Sequence, residues 1–350
     1  MAFTADELAS IANAALDYHW KGQPLPQNIQ DKPMLAALES KRKTFPGGKG
    51  DITLPIKGKY DFEGTPGSEP GNLTGYTHDD TVAYGTIAGI KRAAYPWREV
   101  HTGWNVTHTE LKIDGISVVD SAFGAKTSNH SKRELHAITN IMQDKIETFS
   151  EIVAKQLNEM LWGDGTADAL GFYGIQYFIT ATPAVGTTGG INRATDTWWQ
   201  NRYLSINPAT TEMPEAIKTE FRQLRRFGGR PDMICAGSDF LDALITQLRS
   251  KGYYTQSGWN RPSSTEIDVA DVTFDGIKFM YDPTLDDLSL AKSCYVIDSR
   301  RLFLHSMEDE WGKDHNPARP HDSYAVYKAR TYTAQLCANQ LNCHGLYVIP

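Results

Sequence analysis

The strongest constraint on the fold is the stretch from Ser131 to Trp162. Its apolar residues are Leu135, Ile138, Met142, Ile146, Phe149, Val153, Leu157 and Met160, spaced by steps of three and four. At about 100° per residue they fall within one stripe roughly 100° wide, the pattern of an amphipathic α-helix. A strict heptad fits worse, because it would put Lys145 and Gln156 in the seam. The opposite face carries Lys132, Glu134, Asp144, Glu147, Glu151, Lys155 and Glu159, with Glu151 and Lys155 spaced to pair across a turn. Ser131 with Glu134 three places on is a capping box, and Gly163 and Gly165 supply the stop. At about 1.5 Å per residue the helix is a rod of roughly 45 Å, against a mean helix of about 11–12 residues. A helix of this length implies a flat or elongated subunit with the helix as its spine.

Ahead of the spine lies a second informative stretch, from Asp51 to Val106. Ile52, Leu54, Ile56, Tyr60 and Phe62 alternate with Thr53, Lys57, Lys59 and Asp61, which predicts a strand with one apolar and one polar face. A loop dense in glycine and proline follows, Gly64-Thr-Pro-Gly-Ser-Glu-Pro-Gly-Asn. The chain then returns through Thr81-Val-Ala-Tyr-Gly-Thr-Ile-Ala to Tyr95-Pro-Trp97. The result is a long two-stranded ribbon whose apolar face needs a cover, since an isolated ribbon is marginal in water. The simplest cover is another copy of the chain; the alternative is the chain's own body.

Before the ribbon, residues 4–20 and Met34 to Lys43 read as short helices separated by Lys21-Gly-Gln-Pro-Leu-Pro-Gln-Asn, so residues 1–50 form an arm without a core of its own. Val100 to Ile116 reads as further strand, and so does Gly171-Phe-Tyr-Gly-Ile-Gln-Tyr-Phe-Ile. Pro214 to Phe227 is an amphipathic helix with proline near its start and Gly228-Gly229 after its end. Pro231 to Gly237 is a short buried strand, and Ser238 caps a helix from Asp239 to Lys251. Strands are expected at Asp271 to Tyr281, Ser293 to Ile297 and Leu302 to His305. A terminal pair is expected around Thr331 to Leu336 and Gly345 to Ile349.

Charge and cysteine usage narrow the class. The net charge of −7 argues against a protein that grips DNA, because such affinity comes from neutralising phosphates. No window approaches the roughly 18–20 apolar residues of a membrane span, and Met1 to Asp17 lacks the apolar run of a signal peptide. Cys235, Cys294, Cys337 and Cys343 all lie in apolar contexts without a Cys-x-x-Cys pair, which predicts buried free thiols in a soluble protein made in a cytosol.

The chemical candidates are weak. Trp162-Gly-Asp-Gly-Thr-Ala-Asp168 fails the EF-hand template and reads as a helix stop. His305, Glu308, Asp309, Glu310, Asp314, His315, His321 and Asp322 could ligate a metal, but their spacing follows no known pattern, and Pro317 and Pro320 mark an exposed loop. Cys343 and His344 are adjacent on a strand and so point to opposite faces, which argues against a thiol-imidazole pair. Arg222, Arg225, Arg226 and Arg230 are the one local basic concentration: a solvated helix face, or a contact to acidic neighbours at a subunit boundary. Phosphate loops, Gly-x-Ser-x-Gly and His-Glu-x-x-His motifs are absent. No enzyme is expected, and no cofactor or metal.

Taken in order, these stretches resemble the major capsid proteins of tailed bacteriophages. The likeness runs through the arm, the ribbon to Tyr95-Pro-Trp97 and the spine ending in Leu161-Trp-Gly-Asp-Gly. It continues through Gly189-Gly-Ile-Asn-Arg-Ala-Thr-Asp-Thr-Trp-Trp-Gln-Asn-Arg, then Arg225-Arg-Phe-Gly-Gly-Arg-Pro-Asp-Met-Ile, and closes with Leu336-Cys-Ala-Asn-Gln-Leu-Asn-Cys-His-Gly-Leu-Tyr-Val-Ile. The stretch from Gly189 through Trp199 is the most specific of these. The resemblance implies the α+β fold shared by tailed-phage and herpesvirus coats. In it residues 1–50 are the N-terminal arm and 51–110 the extended β-hairpin loop. Residues 111–185 form the peripheral domain with spine 131–162, 186–290 the axial domain, and 291–350 strands returning through both.

It further implies self-assembly into pentamers and hexamers, and then an icosahedral shell around packaged double-stranded DNA met by weak, non-specific contact. The remaining implied partners are a portal and a decoration protein. A scaffolding segment has no room in this chain, so a separate scaffolding protein is expected. Ile52, Leu54, Ile56, Tyr60 and Phe62 on the ribbon, with Arg222, Arg225 and Arg226, are the subunit-interface candidates. Lys57 and Lys59 could donate a crosslink, but no partner asparagine can be placed. Two other classes compete: a tail or decoration protein, and a metal-dependent hydrolase using the loop from His305 to Asp322.

Overall fold

A computed structural model describes residues 30–46, 50–58, 62–63, 77–79, 86–87, 90–107, 132–166, 168–250, 273–315 and 325–350. Within the long helix, side chains are described from Lys145 onward. The first helix expected, over residues 4–20, and the Ser131 cap lie outside the described residues, as do Leu135, Ile138 and Met142 as side chains.

In chain order, helix α1 (Pro33–Ser40) precedes strands β1 (Lys43–Phe45), β2 (Asp51–Ile56), β3 (Phe62–Glu63), β4 (Thr86–Ile87), β5 (Lys91–Pro96) and β6 (Arg98–Thr107). The spine is α2 (Lys132–Trp162), followed by α3 (Ile175–Phe178), β7 (Thr187–Thr188), β8 (Ile191–Asn192) and β9 (Arg202–Ser205). Then come α4 (Met213–Arg226), β10 (Met233–Ala236), α5 (Ser238–Ser250), β11 (Thr273–Phe274), β12 (Ile277–Tyr281) and α6 (Pro283–Asp287). The chain closes with β13 (Ser293–Ile297), β14 (Leu302–His315), β15 (Ala325–Ala338) and β16 (Gly345–Val348).

Two compact units are present, each assembled from three separate chain segments. The first takes residues 1–31, 101–155 and 313–331; the second takes 32–100, 156–312 and 332–350. In the first, Phe149 of α2 packs its ring 6.3 Å from Trp104, and the Arg330 guanidinium sits 6.0 Å from the same ring. Arg330 also donates to both Asp314 oxygens, at 2.6 and 3.0 Å.

The second unit is built on a six-stranded mixed sheet in the order β11, β12, β10, β13, β16, β9. Strands β10 and β13 are buried at every position, as strands covered on both faces must be. Helices α4 and α5 pack on this sheet. Met213, Ile217, Phe221 and Leu224 of α4 meet Phe240, Leu241 and Leu244 of α5 over Ile234, Val296 and Tyr347. The turn from β11 to β12 holds Asp275 and Gly276, both with positive φ, as a tight antiparallel hairpin requires. The α4 start has no side-chain cap of its own; Gln247 of α5 accepts from the Met213 amide at 2.8 Å.

Several expectations are corrected. Gly171 to Ile179 is not a strand: Ile175–Phe178 forms a single helical turn. Gly174 lies so close to the carbonyls of Met160, Leu161 and Gly163 that a Cβ there would overlap them, which seats this segment on the end of the spine. The stretch from His305 is not a loop; β14 continues through His315, because residues 302–306 are buried or half-buried sheet and the pairing carries on past them. Ile146, placed on the apolar stripe, is 46% exposed, whereas Phe149, Val153, Leu157 and Leu161 are buried. Periodicity marks an apolar stripe without saying how far the subunit itself covers it.

The spine end is fixed by polar bonds that no helical pattern predicts. Trp162 Nε1 donates to Asp282 Oδ2 at 2.8 Å, and Asn158 Nδ2 donates to Thr284 Oγ1 at 2.8 Å. Asp282 is fully buried and also accepts from the Thr284 amide. Burial raises its pKa, and the bonds from Trp162 and Thr284 hold the rise in check. Asp282→Ala, which strands the buried indole N–H, should cost roughly 2–3 kcal/mol in urea unfolding, with Asp282→Asn costing less.

Candidate assembly surface

The ribbon root can be built residue by residue within the second unit. Strands β2 and β5 pair antiparallel from Asp51 opposite Pro96 to Ile56 opposite Lys91. Alternation puts Ile52 and Ile56 on the face that also carries Ala93 and Tyr95, and all four are buried. Leu54 is half-buried. The cover comes from the stretch 188–199 and from β15. The Ala94 amide donates to the Gly189 carbonyl at 3.0 Å, and Tyr95 Oη donates to the Ala338 carbonyl at 2.9 Å. Lys91 Nζ pairs with Asp196 at 2.6 Å, and the Trp198 ring occupies the space where Gly58 has no Cβ. The expectation that a sibling chain covers Ile52 and Ile56 is therefore corrected: the body of the same chain shelters them. Tyr60 lies outside the described residues. Phe62 belongs to the short pair β3 and β4, opposite Ile87, and its side chain is outside the description.

The cover itself is held by a buried cation. Arg193 is 1% exposed, and every hydrogen bond it makes in the described structure goes to a neutral acceptor. Nε donates to Thr188 Oγ1 at 2.7 Å, and Nη2 donates to the Tyr177 and Phe178 carbonyls at 2.9 and 2.8 Å. Nη1 reaches Asn201 Oδ1 at 3.3 Å. Burial lowers the guanidinium pKa, with the nearby Tyr177 and Tyr95 hydroxyls opposing, but arginine keeps its proton at any ordinary pH. Trp199 Nε1 donates to the Thr188 carbonyl at 3.0 Å, closing the same loop. Sequence reasoning singled out this stretch as specific but missed that its arginine is a buried clamp; a charged residue between Gly-Gly and Trp-Trp is the only signal it offered.

The basic candidates sit at the far end of α4. Arg222, Arg225 and Arg226 are exposed. Arg225 forms an ion pair with Asp275, Arg222 Nη2 donates to Thr219 Oγ1 at 3.2 Å, and Arg226 lies 5.6 Å from the Phe227 ring.

Over these elements the chain superposes on solved capsid subunits. Against the capsid asymmetric unit of Cyanophage A-1(L) the TM-score is 0.66 at 15% identity, covering 93% of this chain and 94% of that one. The capsid of Myoviridae phage XM1 gives 0.54 at 10% identity, covering 94% and 95%. The fold is that of phage capsid subunits. The SrpI encapsulin complex from Synechococcus elongatus PCC 7942 shares it at 0.51 and 9% identity, covering 99% and 96%. No family model matches the sequence, and no curated protein does.

All four cysteines are free and buried, and burial pushes the Cys343 thiol up to about 12. His344 is fully buried; its Nδ1 accepts from the Asp298 amide at 3.2 Å, and burial lowers its pKa to about 4. His305 is likewise lowered to about 4 by burial, with the Lys43 charge adding to it. His315 Nε2 bonds Thr331 Oγ1 at 2.8 Å. Among the described residues no group of His, Cys, Asp and Glu converges on a metal position, and no helix is long and apolar enough to cross a membrane.

Arg193→Met keeps the bulk and removes the donors, leaving buried acceptors unpaired; it should cost roughly 2–4 kcal/mol in urea unfolding. A pH dependence follows from the histidines. Both are neutral when folded but bind protons near 6.5 when unfolded, so the unfolded state holds more protons between about pH 6.5 and 4. Stability should fall as pH drops through that window, by up to about 1.4 kcal/mol per unit for each group. His344→Asn should flatten the slope measured by unfolding at pH 7, 6 and 5; an unchanged slope would clear His344 of the effect.

Proposed function

We propose that this chain is the major capsid protein of a tailed phage, self-assembling into pentamers and hexamers that close as an icosahedral head around packaged double-stranded DNA. The likeness that carries the reading spans nearly the whole of both chains, 93% of this one and 94% of the Cyanophage A-1(L) subunit. A tail or decoration protein would not call for a capsid-subunit fold from end to end. The role is structural rather than catalytic. In this reading the six-stranded sheet with α4 and α5 belongs to the axial domain at the capsomer centre, and the spine to the peripheral domain. The subunit belongs to the virion and assembles in the host bacterial cytoplasm. A scaffolding protein, a portal and a decoration protein are the partners such a shell takes. The packaged DNA meets the shell weakly and without sequence preference, in keeping with a net charge of −7.

The root of the ribbon is sheltered by its own subunit, so its reach toward a neighbour lies in residues 57–90, including Tyr60 and Phe62. Deleting residues 60–77 should leave a folded subunit that no longer closes shells. Circular dichroism reads the first outcome and negative-stain microscopy the second; normal shells from the deletion would remove the ribbon from assembly.

A further inference from the structure

The arginines that follow Phe221 are joined in space by others from distant parts of the chain. Three segments of the second unit meet there: the end of α4, the turn after β13 and the turn between β15 and β16. Gly228, with φ of 81°, ends the helix, and Gly229 lies against Cys343 with no room for a Cβ. Gln340 Nε2 donates to the Phe227 carbonyl at 3.0 Å, and Arg300 Nη2 donates to the Arg230 carbonyl at 2.9 Å. The Asn339 amide donates to the Arg301 carbonyl at 3.0 Å. These bonds gather Arg222, Arg225, Arg226, Arg230, Arg300 and Arg301 in one region, the first five exposed and Arg301 half-buried. Two of them are matched within the chain. Arg225 pairs with Asp275, and Arg300 forks onto the buried Asp298 at 2.9 and 2.8 Å. Asp232 alongside is taken by Lys41 at 2.6 Å. Arg222 donates to the Thr219 hydroxyl at 3.2 Å, and Arg226 lies 5.6 Å from the centre of the Phe227 ring. Among the described residues no carboxylate is bonded to Arg222, Arg226, Arg230 or Arg301.

We propose that this surface is where the subunit meets the phosphates of the packaged double-stranded DNA. The inference rests on the coat-protein reading and gives its weak DNA contact a place. Like charges one helical turn apart, as at Arg222 and Arg226, repel each other. The helix dipole offsets that repulsion in the last turn of α4, but it reaches neither Arg230 nor the turn after β13. Guanidinium groups kept unmatched on several segments call for an anion from outside the chain. They suit phosphate oxygens through paired N–H donors, and such contacts carry no sequence information. A boundary between subunits would instead deplete charge at its core and gather apolar side chains. Here Phe227, 56% exposed, stands beside six arginines, and its ring supports the Arg226 guanidinium. The net charge of −7 weakens the contact without abolishing it, because exposed charges beyond about 8 Å are largely screened at physiological salt.

The test is salt-dependent binding of the full chain, kept dilute and unassembled, to a fluorescent DNA duplex of mixed sequence, read by anisotropy. Four phosphate contacts, from Arg222, Arg226, Arg230 and Arg301, give a slope of about −3.6 in log K against log salt. That is a loss of roughly a hundredfold between about 50 and about 200 mM salt. Arg226→Gln with Arg230→Gln should flatten the slope by about 1.8 and weaken binding about tenfold or more at the lower salt. Arg226→Lys with Arg230→Lys keeps the charge and should keep the slope. Arg92→Gln with Lys292→Gln, on exposed residues of β5 and just before β13, makes the same change in net charge and should leave the slope unmoved. Melting curves show whether each variant folds. Where the glutamine pair does not, Arg230→Gln alone carries the test, with a change of about 0.9. The inference is overturned by an unaltered subunit that binds no DNA at the lower salt, or by a glutamine pair that binds like the parent. A lysine pair that loses the slope, or a control pair that weakens binding as much as the glutamine pair, overturns it too. A glutamine pair that binds DNA normally but no longer forms shells would return these arginines to a subunit boundary. In each of these cases the coat-protein reading stands while the unaltered chain forms shells in negative stain. If it forms none, that reading falls, and packaged DNA falls with it as the partner.

Discussion

A single buried guanidinium holds the loop on which strands β2 and β5 are seated. Among the described residues Arg193 is out of water with no carboxylate bonded to it, and a bare charge in that position would be prohibitive. Its fork is matched instead by two backbone carbonyls and the side chains of Thr188 and Asn201, each at hydrogen-bond distance. Carbonyl dipoles aimed at a cation replace its hydration only if the chain is held in one conformation. The cost of burying the charge is therefore what makes the loop unique: any other path for residues 177–201 leaves the guanidinium or the carbonyls unpaired. That loop is in turn the seat of β2 and β5, through Gly189, Asp196 and Trp198.

The same logic recurs at the end of the spine. Apolar burial of Leu157, Leu161 and Trp162 supplies the bulk of the attraction, but it is non-directional and would tolerate rotation or sliding. The indole N–H to Asp282 and the Asn158 amide to Thr284 set the azimuth, because each polar group is costly unless met at one angle.

How much was legible beforehand depends on the range of the interaction. The spine, the β10 strand and helices α4 and α5 could be read from the sequence to within a few residues, because their signals are local: apolar periodicity, a proline in a first turn, glycines after a last one. Segments whose conformation is imposed from a distance were misread. Ile175–Phe178 looks like a strand by composition, yet Gly174 seated on the carbonyls of α2 bends it into a turn of helix. Prolines at 317 and 320 signalled a loop, but they say nothing about residues 305–315, whose strand is dictated by the strands beside it.

By itself the sequence determined which faces are apolar and where elements start and stop, since those follow from the spacing and chemistry of neighbouring residues. It showed that the ribbon has a face needing cover, that four cysteines sit in apolar surroundings, and that arginines gather after Phe221. Only the tertiary structure decided what covers what. Ile52 and Ile56 are sheltered by the subunit's own loop, Arg193 is answered by carbonyls 15 and 16 residues away in sequence, and Ile146 stays open while Phe149 is enclosed. Burial and hydrogen-bond partnership are properties of groups brought together by the whole fold, and no spacing along a chain encodes them directly.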